Sequence, residues 1–535
     1  MNGALIRLAR DERGNFAIIA SVLAVPLVLA AGAALDLSTI SQTQNALQQA
    51  MDSAVLAVAR QGTDITDEEA NKIAMTFVAN NYHLKYTDLK VVRKGTSVKV
   101  QANTKAGLAF GGLLGYSDWP VQAASSADIA YASYEIALVL DTTGSMAGGK
   151  LQSMKDAVDG MIESMSAQIK DKNRLRFSLV PFATFVNVGP EYGPTFNAKG
   201  KMVKGTGAAW LDIKGKSDIP QLELKKGVSR FEVMYKMGQP WKGCVETRMA
   251  DKKGAHDTAD TTPNAKDVRS LFVPAFAIDE PDSGEFENSY IASDVDPLDK
   301  SLVGETKKLL KYGVATVTGA LGTDTDTGSA ITELLTIGSV ALDELGAGEG
   351  PGRGCDMQPI APLTNDYNSL RSKVKALNAT GTTNIMEGVA WGMRVLSPGE
   401  PFAQGAKKDA TGVEKIMVVL TDGANNIGPR STKLGSSYSS FGYLVDGRLQ
   451  VPGAAGSSSP TDLMNAKTLE ACANAKKDGV TVYTIRLEEP DAKTGTMLKE
   501  CASSPDHYFD APSRTQLDEV FKTIRDRVVR LRLSA

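Results

Sequence analysis

Three oxygen-bearing side chains stand at alternate positions in Asp141-Thr142-Thr143-Gly144-Ser145. Alternation lets Asp141, Thr143 and Ser145 point the same way from one loop. An oxygen-only set suits a hard divalent cation, Mg²⁺ above all, with Mn²⁺ or Ca²⁺ as alternatives. One carboxylate and two hydroxyls leave such a site undercharged and unfilled. Two other places can supply the rest. Lys415–Leu420 (KIMVVL) closes in Thr421-Asp422-Gly423, a second acidic strand end, and Gly381-Thr382-Thr383-Asn384-Ile385 offers further hydroxyls. Water and a partner's carboxylate would complete the shell.

The elements that must hold these groups are legible around them. Tyr134–Leu140 (YEIALVL) is an apolar run of the kind that forms a buried parallel strand, and it ends at Asp141. After Gly148-Gly149, residues Leu151, Met154, Val158, Met161 and Met165 fall on one face of a helix. Ile385, Val389, Met393 and Leu396 mark a second helix directly behind Asn384. Ligands in open α/β sheets bind at the C-terminal ends of strands, where both aspartates stand. Leu175, Phe177 and Leu179 alternate with Arg174, Arg176 and Ser178, which predicts a half-exposed strand. Lys467–Lys477 reads as helix, Val480–Leu487 as strand, Tyr508-Phe509 as a short last strand, and Leu517, Val520, Ile524, Val528 and Leu531 as a final amphipathic helix.

DTTGS, then GTTNI, then VVLTDG, in this order, resembles a von Willebrand factor A domain with its metal-ion-dependent adhesion site. The resemblance implies a doubly wound, mostly parallel, Rossmann-like α/β sheet. It implies a ligand set of Asp141, Thr143, Ser145, Thr383 and Asp422, with Thr382 as the alternative to Thr383. Such a domain needs about 200 residues. Residues 131–189 and 362–535 supply it, and 190–361, rich in Gly, Pro and charge, reads as an insertion near the metal-bearing face.

A competing motif overlaps the first loop. Gly144 to Lys150 matches the GxxxxGK of a nucleotide-binding loop, but Leu151 stands where that loop needs Ser or Thr for Mg²⁺. Asp141 would also place a carboxylate under the phosphates. Within the insertion, Asp324-Thr-Asp326-Thr-Gly328 hints at a calcium loop, yet the EF-hand positions counted from Gly328 fall on threonines and Leu334.

Residues 16–35 (FAIIASVLAVPLVLAAGAAL) carry no charge and span about 30 Å as a helix, the thickness of a bilayer core. Arg7, Arg10 and Arg13 precede this run, and the next Lys or Arg is Arg60, so the positive-inside rule leaves residues 1–15 in the cytoplasm and the bulk outside. Beyond the span, Leu37, Ile40, Gln44, Leu47, Met51, Ala54 and Val58 form a heptad-like stripe. It either packs on its own domain or makes a seam to a second copy. Residues 37–60 read as a helical extension and 61–130 as a small separate α+β unit without evident chemistry.

The whole chain of 535 residues has 59 Lys+Arg against 62 Asp+Glu, net charge −3, which gives a polyanion nothing to bind. Its three histidines, His83, His256 and His507, form neither a zinc signature nor a triad pattern. Cys244, Cys355, Cys472 and Cys501 allow three disulfide pairings. The domain-wise one, Cys244–Cys355 with Cys472–Cys501, is the simplest, and four reduced thiols are the alternative.

Glu12-Arg13-Gly14-Asn15-Phe16-Ala17, Leu47 to Ala54 (LQQAMDSA), Trp241 to Arg248 (WKGCVETR), Phe272-Val-Pro and Asp279-Glu-Pro281 resemble bacterial TadG-like proteins of tight-adherence (Flp-type) pilus assembly. The resemblance implies a non-enzymatic, single-pass inner-membrane protein, its bulk in the periplasm or at the cell surface. Its metal would dock a carboxylate-bearing protein partner, such as a pilus or secretion-machinery component. The rival readings are a metal-independent scaffold, contacting its partners through the insertion or the N-terminal helix, and an NTPase.

Overall fold

A computed structural model describes the chain except residues 1–12, 62–64, 95–96, 129–132, 170, 252–253, 284–286, 319–332, 344, 347, 411, 429–432, 450–458 and 531–535. Arg7, Arg10, Leu531 and the 324–328 turn therefore lie outside the described residues. The chain divides into two compact units, Met1–Tyr131 with Arg530–Ala535, and Ala132–Val529.

The first unit is built on one helix, α1 (Arg13–Ala59). Its described stretch is long and apolar enough to cross a membrane, and Val22, Leu23, Val25, Leu27 and Val28 are exposed. The far half of the same helix is a core element. Leu47, Met51, Ala54 and Val58 are buried against Ala70, Ala74 and Val78 of α2 (Asp67–Asn81) and against Val98 and Val100. Those valines belong to β2 (Ser97–Gly107) of an antiparallel sheet ordered β1-β2-β3, with β1 Tyr86–Lys94 and β3 Asp118–Asp128. The second turn-forming signal is local: Thr66 and Glu69 form a capping box that fixes the start of α2. Residues 37–60 thus extend the same helix and pack on their own unit, the first of the two alternatives. The outer part of their stripe is used inside this unit, while Leu37 and Gln44 leave it and face solvent. A seam to a second copy loses its continuous apolar face, because from Leu47 onward the stripe is buried in this unit's own core and before it Leu37 and Gln44 are exposed.

The second unit holds a six-stranded sheet: β4 (Ser133–Asp141), β5 (Leu175–Phe182), β6 (Ala361–Thr364), β7 (Val413–Thr421), β8 (Val480–Leu487) and β9 (Tyr508–Ala511). Their spatial order is β6-β5-β4-β7-β8-β9. All neighbours are parallel except β6, which runs antiparallel to β5 at the edge. Numbered in order of appearance within the sheet, the order is 3-2-1-4-5-6, and the sheet is doubly wound and mostly parallel, as the sequence led one to expect. Helices α3 (Gly149–Gln168), α4 (Tyr367–Lys375) and α8 (Leu517–Arg530) cover one face. Helices α5 (Ile385–Val395), α6 (Pro460–Lys477) and α7 (Ala492–Cys501) cover the other. The strands alternate between these layers: Ile136, Leu138 and Leu140 face the first, Ala137 and Val139 the second.

Two expectations need correction. The strand over 175–182 is not half-exposed: Leu175, Phe177 and Leu179 enter one core, Val180 and Phe182 the other. The residues that looked solvent-facing are accommodated, Ser178 by the Ala361 carbonyl and Arg176 by Glu135. The 190–361 segment reaches the expected metal-bearing end of the sheet, Thr247 bonding Glu387 near the start of α5, but is not confined to it: Arg394 at the other end of α5 donates to the His256 and Asp257 carbonyls. The segment's Trp210, Phe231, Met234, Phe272 and Phe276 join the core that covers α5, and all eleven residues of α5 are buried. Little regular structure does this, chiefly the helices Arg230–Lys236 and Leu302–Lys311. Both disulfides have the domain-wise pairing: Cys244–Cys355 closes this segment, and Cys472–Cys501 ties α6 to α7.

Candidate functional site

The site grows from three adjacent chain turns at the C-terminal end of β4 and β7. Three backbone bonds hold the turns together: Thr142 N to the Phe182 carbonyl at 2.9 Å, Thr380 N to the Thr142 carbonyl at 2.8 Å, and Gly144 N to the Gly381 carbonyl at 3.0 Å. Gly381 has φ +70°, and a Cβ there would lie 2.5 Å from Thr184 Oγ1, so only glycine fits the turn. Behind it, Asn384 caps α5 by accepting from Glu387 N, and the Asn425 side chain accepts from Ile385 N at 2.8 Å. Asn426 N donates to the Thr383 carbonyl at 2.8 Å, which fixes the third turn to the second.

On this frame the oxygen side chains converge. Ser145 Oγ donates to Asp422 Oδ1 at 2.6 Å and lies 2.9 Å from Thr143 Oγ1. Asp141 is buried; its Oδ1 accepts from Thr143 N at 2.8 Å and its Oδ2 from Thr421 Oγ1 at 2.6 Å. Thr383 and Ser145 meet above Gly423, whose Cβ position is 3.2 Å from Thr383 Oγ1 and 3.6 Å from Ser145 Oγ. The Thr382 hydroxyl lies 3.2 Å from Thr184 Oγ1, and Thr382 lines the same depression as Thr383. The structure therefore brings together Asp141, Thr143, Ser145, Thr383 and Asp422 and leaves Thr382 in a neighbouring pair. Thr143, Ser145, Thr383, Asn425 and Thr461 are among the residues lining an open depression of about 540 Å³, none of which comes from 190–361.

The electrostatics are unbalanced. Burial, then the neighbouring Asp422 charge, push the Asp141 carboxyl up to about 6, against partial relief from Thr143 and Thr421. Among the described residues no arginine or lysine is hydrogen-bonded to it. Asp422 does have a cation: Lys150 Nζ stands 2.7 Å from its Oδ2. Two carboxylates and three hydroxyls, without nitrogen or sulfur, form a donor set matched to a hard divalent cation. Among the described residues no cluster of three or more His, Cys, Asp or Glu occurs, so any cation bound here relies on hydroxyl oxygens.

Sequence reasoning missed three participants. Lys150 was visible only as part of the nucleotide-loop motif, whereas it is the ion-pair partner of Asp422. Thr421 sits directly before Asp422 and reaches across to Asp141. Asn425 braces α5 through its side chain, which also donates to Asn465 Oδ1 at 2.8 Å. Only the position of Thr421 at a strand end carried any signal.

Residues 14–61 match the family model described as putative Flp pilus-assembly TadE/G-like, so the N-terminal segment is TadE/G-like. No curated protein matches the chain. Among solved structures, it is similar to the pilus adhesin SpaC from Lactobacillus rhamnosus GG at 12% identity and TM-score 0.31, covering 83% of this chain and 35% of that one. It is similar to the vWF domain of the type V pili tip protein Mfa5 from Porphyromonas gingivalis at 10% identity and TM-score 0.33, covering 74% and 95%. The PilB minor pilin from Streptococcus sanguinis aligns at 12% identity and TM-score 0.32, covering 85% and 81%. The chain thus spans about a third of the SpaC adhesin's length.

Proposed function

We propose that this is a membrane-anchored, non-enzymatic component of Flp/Tad-type pilus assembly or adhesion. It docks a protein partner through a divalent cation held by Asp141, Thr143, Ser145, Thr383 and Asp422. The TadE/G-like segment supports the pilus context, and the apolar part of α1 supports the anchor. One observation carries the metal reading: the buried Asp141 carboxylate, with no basic hydrogen-bond partner among the described residues, is raised by burial and by the nearby Asp422 charge, beside an open depression lined by Thr143, Ser145 and Thr383. Mg²⁺ would remove that repulsion, with Mn²⁺ or Ca²⁺ as substitutes, and a partner's Asp or Glu would fill its remaining position. Positive-inside orientation places the bulk of the chain in the periplasm or beyond.

The test is calorimetry of Mg²⁺ binding to the full chain, with a pull-down from a piliated strain with and without EDTA. Saturable binding lost in Asp141→Ala and Asp422→Ala, with EDTA-sensitive capture, supports the reading. Unchanged affinity in either variant overturns it.

A metal-independent scaffold is the second reading, favoured by the Lys150 ammonium on Asp422, which already supplies a positive charge. Capture that survives EDTA and Asp422→Ala would select it. Nucleotide binding is disfavoured by Leu151 and by the engagement of Lys150.

A further inference from the structure

The connection between β2 and β3 is unusual for a loop. Residues 106–117 (AGLAFGGLLGYS) contain no charge, although connections that face water are normally polar. Leu113 is 70% exposed, Tyr116 60% and, at the start of β3, Trp119 49%. Large apolar groups grouped on one surface mark a contact with something apolar.

Its height along α1 is fixed by two contacts. Asp36, the first charged residue after the apolar run 16–35, is buried. It accepts from Ala109 N at 2.7 Å, Phe110 N at 3.1 Å and Gly111 N at 2.7 Å. One turn earlier, Phe110 packs on Gly32, where a Cβ would lie 2.4 Å from Phe110 Cγ. With a rise of 1.5 Å per residue, Phe110 sits about 5 Å inside the end of the apolar run. A cavity of about 600 Å³ lies between helix and loop, lined by Leu29, Ala33, Leu37, Leu108 and Trp119 among others. The loop's base carries an exposed ion pair, Lys105 with Asp118 at 3.0 Å. Along α1, Phe110 thus lies at Gly32 within the apolar run, whereas Lys105 lines a cavity with Thr39 and Thr43 beyond its end.

We propose that residues 106–119 are a second membrane contact. Leu113, Tyr116 and Trp119 enter the headgroup–acyl boundary of the bilayer crossed by residues 16–35, and acyl chains fill the cavity beside α1. Tyr and Trp suit that boundary because each has an apolar body and a polar edge. The occupant is lipid because the loop is fixed at the border of the apolar run, where a bilayer would have its surface. This inference rests on the membrane-span reading.

Trp119 provides the probe, since Trp210, Trp241 and Trp391 are buried, at 4%, 9% and 0% exposure. The full chain is reconstituted in phosphatidylethanolamine–phosphatidylglycerol vesicles with acyl chains brominated near the headgroup. The Trp119 share of emission is the difference between the natural chain and Trp119→Phe. That share is expected to be lost to bromolipid and spared by aqueous iodide. Leu113→Asp, a change at an exposed position, is expected to restore part of it. Quenching by iodide alone puts the loop in water; quenching by neither means that protein, such as a second copy, covers it. Both outcomes overturn the proposal. Alkaline carbonate extraction separates the two readings: a chain that is extracted overturns the span itself, whereas a retained chain without bromolipid quenching overturns only the loop contact.

Discussion

Asp141 and Glu246 are both completely buried carboxylates of the second unit, and their surroundings drive them in opposite directions. Burial alone would raise the Glu246 carboxyl, but the Arg230 and Arg448 charges beside it bring it below its ordinary range. Arg230 Nη1 lies 2.8 Å from Oε1 and Arg448 Nη1 2.9 Å from Oε2, while Tyr438 donates to Oε1 at 2.6 Å. Asp141 has hydroxyls, one amide and another carboxylate, and it stands raised. At Glu246 the 190–361 segment and the loop after β7 thus supply the counter-charges between them. The strand-end site leaves its charge for something else to complete.

Removing one side of the balanced region should have the largest effect. Glu246→Gln leaves two buried guanidinium groups short of a counter-charge and is expected to lower stability by about 3–5 kcal/mol, read from chemical denaturation. Added Mg²⁺ should not rescue it. A loss below about 1 kcal/mol would mean that this network does not hold the segment to the loop after β7.

The unbalanced region should show in pH dependence. An Asp raised from 3.8 to about 6 binds its proton more tightly in the folded state. Its contribution is therefore favourable at low pH, falls as pH rises from about 4 to 6, and leaves a penalty of about 3 kcal/mol above that. Glu223, pushed up to about 7, and Asp446, to about 6, titrate nearby. The measurement is thus the stability difference between the natural chain and Asp141→Asn across pH 4–8. Mg²⁺ should abolish most of this difference at neutral pH. A flat difference would remove Asp141 as the strained group.

A smaller effect concerns the resident ammonium. Lys150→Met removes a charge that repels an incoming cation and is expected to tighten Mg²⁺ binding about fivefold, or about 1 kcal/mol, by calorimetry. Weaker binding would instead make Lys150 a support for the loop. The smallest effect separates the two threonines: Thr382→Ala should change Mg²⁺ affinity by less than about 0.5 kcal/mol, whereas Thr383→Ala should weaken it. The reverse outcome would reassign the hydroxyl.

Much of this was legible beforehand because it is local or periodic. The strand before Asp141, the helix after Gly149 and the strand before Asp422 each announce themselves by apolar spacing, while the order of the strands came only from the structure. The 175–182 strand misled because Arg176 and Ser178 looked solvent-facing; each is satisfied by a partner far away in sequence, Glu135 and Ala361. The 190–361 segment misled for the same kind of reason. Irregular backbone has no period, so nothing local reveals that Trp210 and Phe272 belong to one core.

The sequence by itself determined which residue types could hold a cation, at which strand ends they stand, and that an uncharged run of membrane length lies near the front. These are properties of composition and short-range spacing. Only the tertiary structure showed that the Thr382 hydroxyl pairs with Thr184 and that Lys150 belongs to Asp422. Only the fold showed that an uncharged loop rests against the end of the apolar helix. Each of those depends on which distant side chains meet, and a distance between residues hundreds of positions apart is set by packing rather than by pattern.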